Sequence, residues 1–331
     1  MRKSKYIILK SHKKLKTKKC QKNNSKKTIN KLYFLIIFEI FVLIFLFSFI
    51  VKLKKKNKKE FKGKELLTNE TIVIEKGREF YGNNTLNKEK FFYRYLCPKE
   101  VIGKTKILYG QYGDGGYILL DDLKDIKIAY SFGISSIVSF EKALADKGID
   151  VYMYDHTIFA LPFDNPKYHW KKIGLAGETK KAYNLKTINE LLIENGHTQE
   201  KNMILKIDIE NNEWDTLNEI SDNILNQFKY IIIEFHFWNI DNNFELYIKC
   251  LKNIMKYHQI FHIHCCNCKE QLKIGDNPIC NTIEVSYIKK EGNEFKKDES
   301  TYPIKGFDYK ICPEKTSMNL EPNILKYCDN S

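Results

Sequence analysis

Two pairs of ionisable side chains stand two residues apart in this chain: Asp208 and Glu210 in MILKIDIE (Met203–Glu210), and Glu234 and His236 in KYIIIEFHF. Side chains of an extended strand alternate with period two, so each pair is expected on one face. Two carboxylates at the carboxyl end of a strand, beside a carboxylate–imidazole pair, have the chemistry to take a proton from a reacting hydroxyl, and Glu234 with His236 reads equally well as a polar couple at a strand edge. A third constellation lies upstream. Gly133 ends the apolar run IKIAYSF, and Asp155 with His156 ends VYMY some twenty residues later. A glycine where the backbone approaches a ligand, followed by an acid for ribose hydroxyls, is the pattern of a nucleoside-binding βαβ unit. One glycine stands where a dinucleotide fingerprint has three, which disfavours NAD and leaves open an adenosyl ligand without a pyrophosphate. Without a ligand, Gly133 reads as a tight turn and Asp155 as a helix cap.

The elements that would position these residues follow from periodicity. A strand over about 126–132 leads through Gly133 to a helix with Ile137, Phe140 and Leu144 on one face and Gly148 as its stop, then to a strand at Asp150–Tyr154. Thr187-Ile-Asn-Glu190 is a capping box, and Asn195-Gly196 ends that helix before the strand from Met203. Trp214, Leu217 and Ile220 mark a further helix, then comes the strand bearing Glu234 and His236. Strands alternating with helices predict a parallel α/β sheet, and in such sheets ligands bind beyond the carboxyl ends of the strands, where Gly133, Asp155, Asp208, Glu210 and His236 are expected to converge.

Charge divides the chain. Residues 1–64 hold 21 Lys/Arg against Glu39 and Glu60, which leaves 34 basic and 39 acidic residues for the rest. The globular part is mildly acidic, so nucleic acid is not an expected partner. Residues 32–51 are apolar apart from Glu39, long enough to cross a bilayer, with 13 Lys/Arg before them and eight soon after. The expected organisation is a basic cytoplasmic tail over 1–31, a transmembrane helix over 32–51, a polar stem over 52–90 and a globular domain over 91–331. The positive-inside rule keeps the N-terminus cytoplasmic and puts the domain in the lumen of the Golgi or ER, or outside the cell. Two sequons, at Asn69 and Asn83, and eight of the nine cysteines lie on that side, compatible with disulfides and with free thiols alike.

The series YSFGI, VYMYDHT, KIGL (Lys172–Leu175), LKTINELL, LKIDIE with the following Glu213-Trp214, and IIIEFHF resembles the methyltransferase-like protein 24 family and the broader FkbM-type methyltransferases, over roughly residues 92–290. The resemblance implies a class I methyltransferase Rossmann-like fold, with a seven-stranded, mostly parallel sheet and helices on both faces, S-adenosylmethionine as methyl donor, and O-methylation of a small-molecule or glycan hydroxyl. It also implies that Phe132 and Gly133 line the amino-acid end of the donor, that Asp155 with His156 holds its ribose, and that Asp208 sits beside the reacting methyl. Gly115 and Gly116, in Gly113-Asp-Gly-Gly-Tyr117, resemble a loop that closes over the donor. Where FkbM-type proteins have glycine after IDIE, this chain has Asn211, a residue that tolerates the left-handed conformation. Asp208, Glu210 and His236 are the candidates for removing the acceptor's proton.

Two other readings compete. A lumenal α/β domain behind one anchor is also the layout of many Golgi glycosyltransferases, with Asp208 and Glu210 as a DxD-like metal site, and the fold could serve as an anchored binding module without catalysis. On the methyltransferase reading no metal is expected. His262-Ile-His264-Cys265-Cys266-Asn-Cys268 has metal-ligand residue types but fits no standard zinc spacing, so strand plus thiols or disulfide is expected there. Trp170, Trp214 and Trp238 are expected in the core or a pocket wall. The tail after Thr301 is expected to be irregular covering structure.

Overall fold

The computed structural model describes residues 92–316 apart from 238–239, 269–270 and 275–276, together with 74–75, 78–79 and Cys328. The expected tail, the span at 32–51, both sequons, most of the stem and Trp238 lie outside the described residues. Within the stem, Ile74–Glu75 pairs antiparallel with Arg78–Glu79. Among the described residues no helix is long and apolar enough to cross a membrane.

The sheet strands are β1 (Ile128–Phe132), β2 (Asp150–Tyr154), β3 (Tyr168–Lys171), β4 (Met203–Ile207), β5 (Phe228–His236), β6 (His258–Cys265) and β7 (Thr282–Lys289). The helices are α1 (Ser139–Ala145), α2 (Ile188–Glu194), α3 (Glu213–Glu219), α4 (Asp222–Leu225) and α5 (Ile240–Met255). Across the sheet the strands run 3-2-1-4-5-7-6, all neighbours parallel except β7, which is antiparallel to both β5 and β6. Parallel strands covered on both faces are apolar throughout, and every residue of β4 is buried, Lys206 included.

Two cores form, one on each face. Leu191 and Leu192 of α2, Trp214 and Leu217 of α3, and Tyr247 and Leu251 of α5 pack with Leu205, Ile207, Ile231 and Ile233. On the other face Phe140 and Leu144 of α1, with the antiparallel pair Lys106–Tyr109 and Tyr117–Leu120, pack with Ala129, Val151, Ile204 and Ile232. Thr187 and Glu190 form both bonds of the capping box that starts α2. Trp214 is core, as expected. Trp170 sits half-buried on the edge strand β3.

Register fixes the site. Phe132 lies opposite Tyr154 on one side and Ile207 on the other, and Ile207 opposite Ile233. The residues that follow these strands therefore emerge at one level, where the order reverses between β1 and β4, the place at which open α/β sheets bind ligands.

Among the described residues three disulfides cross-link the domain: Cys97–Cys328, Cys265–Cys280 and Cys268–Cys312. Cys250 and Cys266 take no part in them. The histidine–cysteine segment is thus strand β6 plus two disulfide partners, with His262 bonded to Asp308 and His264 to Glu284. The tail over 301–316 has no helix or strand and is held down by the Cys268–Cys312 bond. Cross-links that close loops with separations of 15, 44 and 231 residues restrict the unfolded chain, each by about 2–4 kcal/mol in the usual range. A reductant is therefore expected to lower the melting temperature by about 12 °C or more. A melt unchanged by reductant in scanning calorimetry would show that these bonds contribute no stability.

Candidate active site

A cavity of about 370 Å³ opens at the carboxyl ends of β1, β2 and β4, lined by Gly133, Ser135, Asp155, His156, Asp208 and Glu210 together with Tyr154, Thr157, Gly174, Leu175, Ile209 and Asn212. Four of the five residues expected to converge by sequence are therefore brought together, and the fifth, His236, lies behind the wall.

Gly133 has φ +73°, and a Cβ built on it would stand 1.6 Å from the backbone oxygen of Asp208. Its need for glycine thus comes first from the turn after β4 pressing against it, not from a ligand. Asp155 is buried and accepts at both oxygens. The amide of Ser135 donates to Oδ2 at 2.9 Å, and the amide and hydroxyl of Thr157 donate to Oδ1 at 2.7 and 2.6 Å. Burial alone would raise its pKa, but these donors outweigh it and hold the carboxyl below the usual range, so it stays ionised. A carboxylate has about four lone-pair positions, and three are taken, which leaves one on Oδ2. His156 is exposed at the cavity rim.

The turn after β4 departs from strand geometry. The strand ends at Ile207, and Glu210 and Asn211 adopt φ +52° and +85°. Alternation with period two does not apply beyond Ile207; Asp208 and Glu210 share the cavity because the chain turns there. The asparagine takes the left-handed conformation expected of it. The side chain of Glu210 is 72% exposed.

Three expectations are corrected. Phe132 is not among the residues that line the cavity; its ring is fully buried and stacked on Tyr154. Gly115 and Gly116 are not among the lining residues either. Gly115 packs on the start of α1, where the Ser139 hydroxyl donates to its carbonyl and a Cβ on it would strike Ile137, and Gly116 packs on the Gln111 carbonyl. What that loop sends to the site is Tyr117, whose hydroxyl donates to Asp208 Oδ2 at 3.0 Å. His236 does not serve as a base. Burial would lower its pKa, but Glu213 and Glu234 outweigh burial and push it up to about 10, so the ring is a cation at neutral pH.

The least anticipated member is Lys206. Its ammonium, on a side chain 4% exposed, donates to the Gly133 carbonyl at 2.6 Å and meets Asp208 Oδ2 at 3.3 Å. Burial would lower its pKa; Asp208, Glu141 and Glu234 outweigh burial and raise it. Glu141 is buried, accepts from the Ser131 hydroxyl at 2.5 Å, and has its pKa raised by burial first. Glu234 is pushed up to about 7, by burial and then by Asp208. A lysine in the middle of an apolar strand was the available signal, because a buried ammonium demands carboxylate partners. Glu213, which holds His236 Nδ1, stands in the first turn of α3 and by spacing alone looks like an ordinary helix-start acid.

A family model described as a methyltransferase domain matches residues 50–289, well over half of the chain. No protein of curated function matches it. Among solved structures it is similar to SMU.776, provisionally described as a methyltransferase and crystallised with SAH, at 14% identity and a TM-score of 0.32. The similarity covers 57% of this chain and 57% of that one, so the chain spans little more than half the length of that structure.

Proposed function

The chain belongs to the methyltransferase-domain family, and from that membership we propose that it moves a methyl group from S-adenosylmethionine to a hydroxyl oxygen of a small molecule or glycan. The observation that carries the cofactor reading is Asp155: an ionised carboxylate at the tip of β2, beside the switch point, with a lone-pair position left on Oδ2. Asp155 would accept from the ribose hydroxyls and His156 would stand at the rim, while the turn at Gly133 leaves the backbone bare for the amino-acid end. The donor supplies an electrophilic methyl bound to sulfur; the chain's share is alignment and proton removal. Asp208 is engaged by Tyr117 and Lys206, and His236 already carries a proton, so Glu210, at the cavity mouth, is the residue we assign as base. The ordered motifs quoted above support a place near the methyltransferase-like protein 24 and FkbM-type enzymes. The sugar-transfer reading is weaker, because the family model that matches the chain is a methyltransferase domain.

Calorimetric titration of the full chain in detergent with S-adenosylmethionine and S-adenosylhomocysteine tests the reading. Saturable binding of one ligand per chain is expected, and a folded protein that binds neither would refute it. We further propose that residues 32–51 anchor the chain with the domain on the lumenal side, supported by the flanking charges and by disulfides suited to an oxidising compartment. Expressed in a secretory cell, the chain should shift down in mass on glycosidase treatment through Asn69 or Asn83. A membrane-bound, unglycosylated chain accessible to cytosolic protease would reverse that topology.

A further inference from the structure

Behind the cavity wall lies a cluster that methyl transfer as described leaves unused. Among the described residues, Asp208, Glu234 and His236 each present one donor atom, and these atoms lie within 4.8 Å of one another. His236 is 1% exposed, and its Nδ1 is bonded to the Glu213 carboxylate, which is completely buried. Its Nε2 has no hydrogen bond, and stands 3.3 Å from Glu234 Oε1 and 3.4 Å from Glu210 Oε2. A ring whose Nδ1–H is held by a buried carboxylate turns its Nε2 outward, which is how histidine is oriented when it ligates a metal, and a metal bound there takes the place of the Nε2 proton that the metal-free ring carries. Glu234 is fixed in β5, opposite Glu284 of β7, and Asp208 is fixed by Tyr117 and Lys206.

We propose that Asp208, Glu234 and His236 bind one divalent first-row metal ion beside the cavity. Two carboxylates and one imidazole suit Mn2+ or Zn2+; Ca2+ takes six or more oxygens. Three protein ligands leave positions for water or substrate. Asp208 belongs to both the cluster and the cavity wall, so the ion's open positions adjoin the cavity. There they would take an oxygen of the acceptor and ease its deprotonation, a role that rests on the methyltransferase reading. The Lys206 ammonium beside Asp208 opposes the ion, and the carboxylates of Glu210 and Glu213 offset it.

The test is Mn2+ titration of the chelator-stripped full chain, read from the electron paramagnetic resonance of free Mn2+, with S-adenosylhomocysteine titrated calorimetrically on the same preparation. One saturable Mn2+ per chain is expected. Glu234→Gln and His236→Gln should weaken it at least tenfold and leave S-adenosylhomocysteine binding within about twofold. Glu213→Gln, which keeps all three ligands, should weaken it by roughly 10- to 100-fold. Circular dichroism melts identify any variant that fails to fold, and the wild-type titration stands without them. Absence of saturable Mn2+, or Mn2+ binding unchanged in the folded variants, overturns the site. Mn2+ binding without S-adenosylhomocysteine binding upholds the site and removes its role in methyl transfer.

Discussion

Asp155→Ala is expected to weaken S-adenosylhomocysteine binding by roughly 30- to 150-fold, which corresponds to about 2–3 kcal/mol for a hydrogen bond to a charged group. Two losses combine. The ribose hydroxyls lose their acceptor, and the Ser135 and Thr157 amides lose the carboxylate that draws both loops to the tip of β2. Asp155→Asn separates these effects. The amide keeps one acceptor oxygen and sets a donor against a second donor, so binding should fall between wild type and alanine while the melting temperature stays close to wild type. Calorimetry at matched salt measures both. An alanine variant that binds as well as wild type would remove Asp155 from the cofactor site and, with it, the main support for an adenosyl ligand.

Lys206→Met should cost about 3–5 kcal/mol of stability, the range for stripping one partner from a buried ionic cluster. The methionine fits the space, but Asp208, Glu141 and Glu234 then share a closed site without the ammonium that all three face. A fall in melting temperature of about 10 °C is the expected reading. Adding Glu141→Gln to Lys206→Met should recover part of the loss, because it removes one of the stranded charges, and the double-mutant cycle measures the coupling. A single variant as stable as wild type would mean that the carboxylates take up protons without cost.

Much of the architecture was readable from periodicity. The strand at Asp150–Tyr154 falls where its apolar run predicts, Thr187 and Glu190 cap the helix they announce, and Gly133 turns the chain at the end of β1. Apolar runs and caps are local properties, and they survive into the fold. Most of the failures are nonlocal. That Phe132 turns its ring into the core depends on Tyr154 of the neighbouring strand. That His236 is a cation depends on Glu213 of a helix that precedes its strand, and that Gly133 must be glycine depends on the Asp208 carbonyl in the turn after β4. Spacing within one segment carries no trace of such partners. Alternation also misled at Glu210, because it presumes a strand that has already ended.

The Cys97–Cys328 bond joins the start of the described domain to a point close to the end of the chain, and all seven sheet strands lie inside the ring it closes. A protease that cuts any one loop between those cysteines therefore releases no fragment. The nicked protein runs as a single species on a gel without reductant and separates into pieces only when thiol is added. A cut before Cys97, in contrast, frees the entire ring from whatever precedes it, so shedding and internal damage leave distinguishable products.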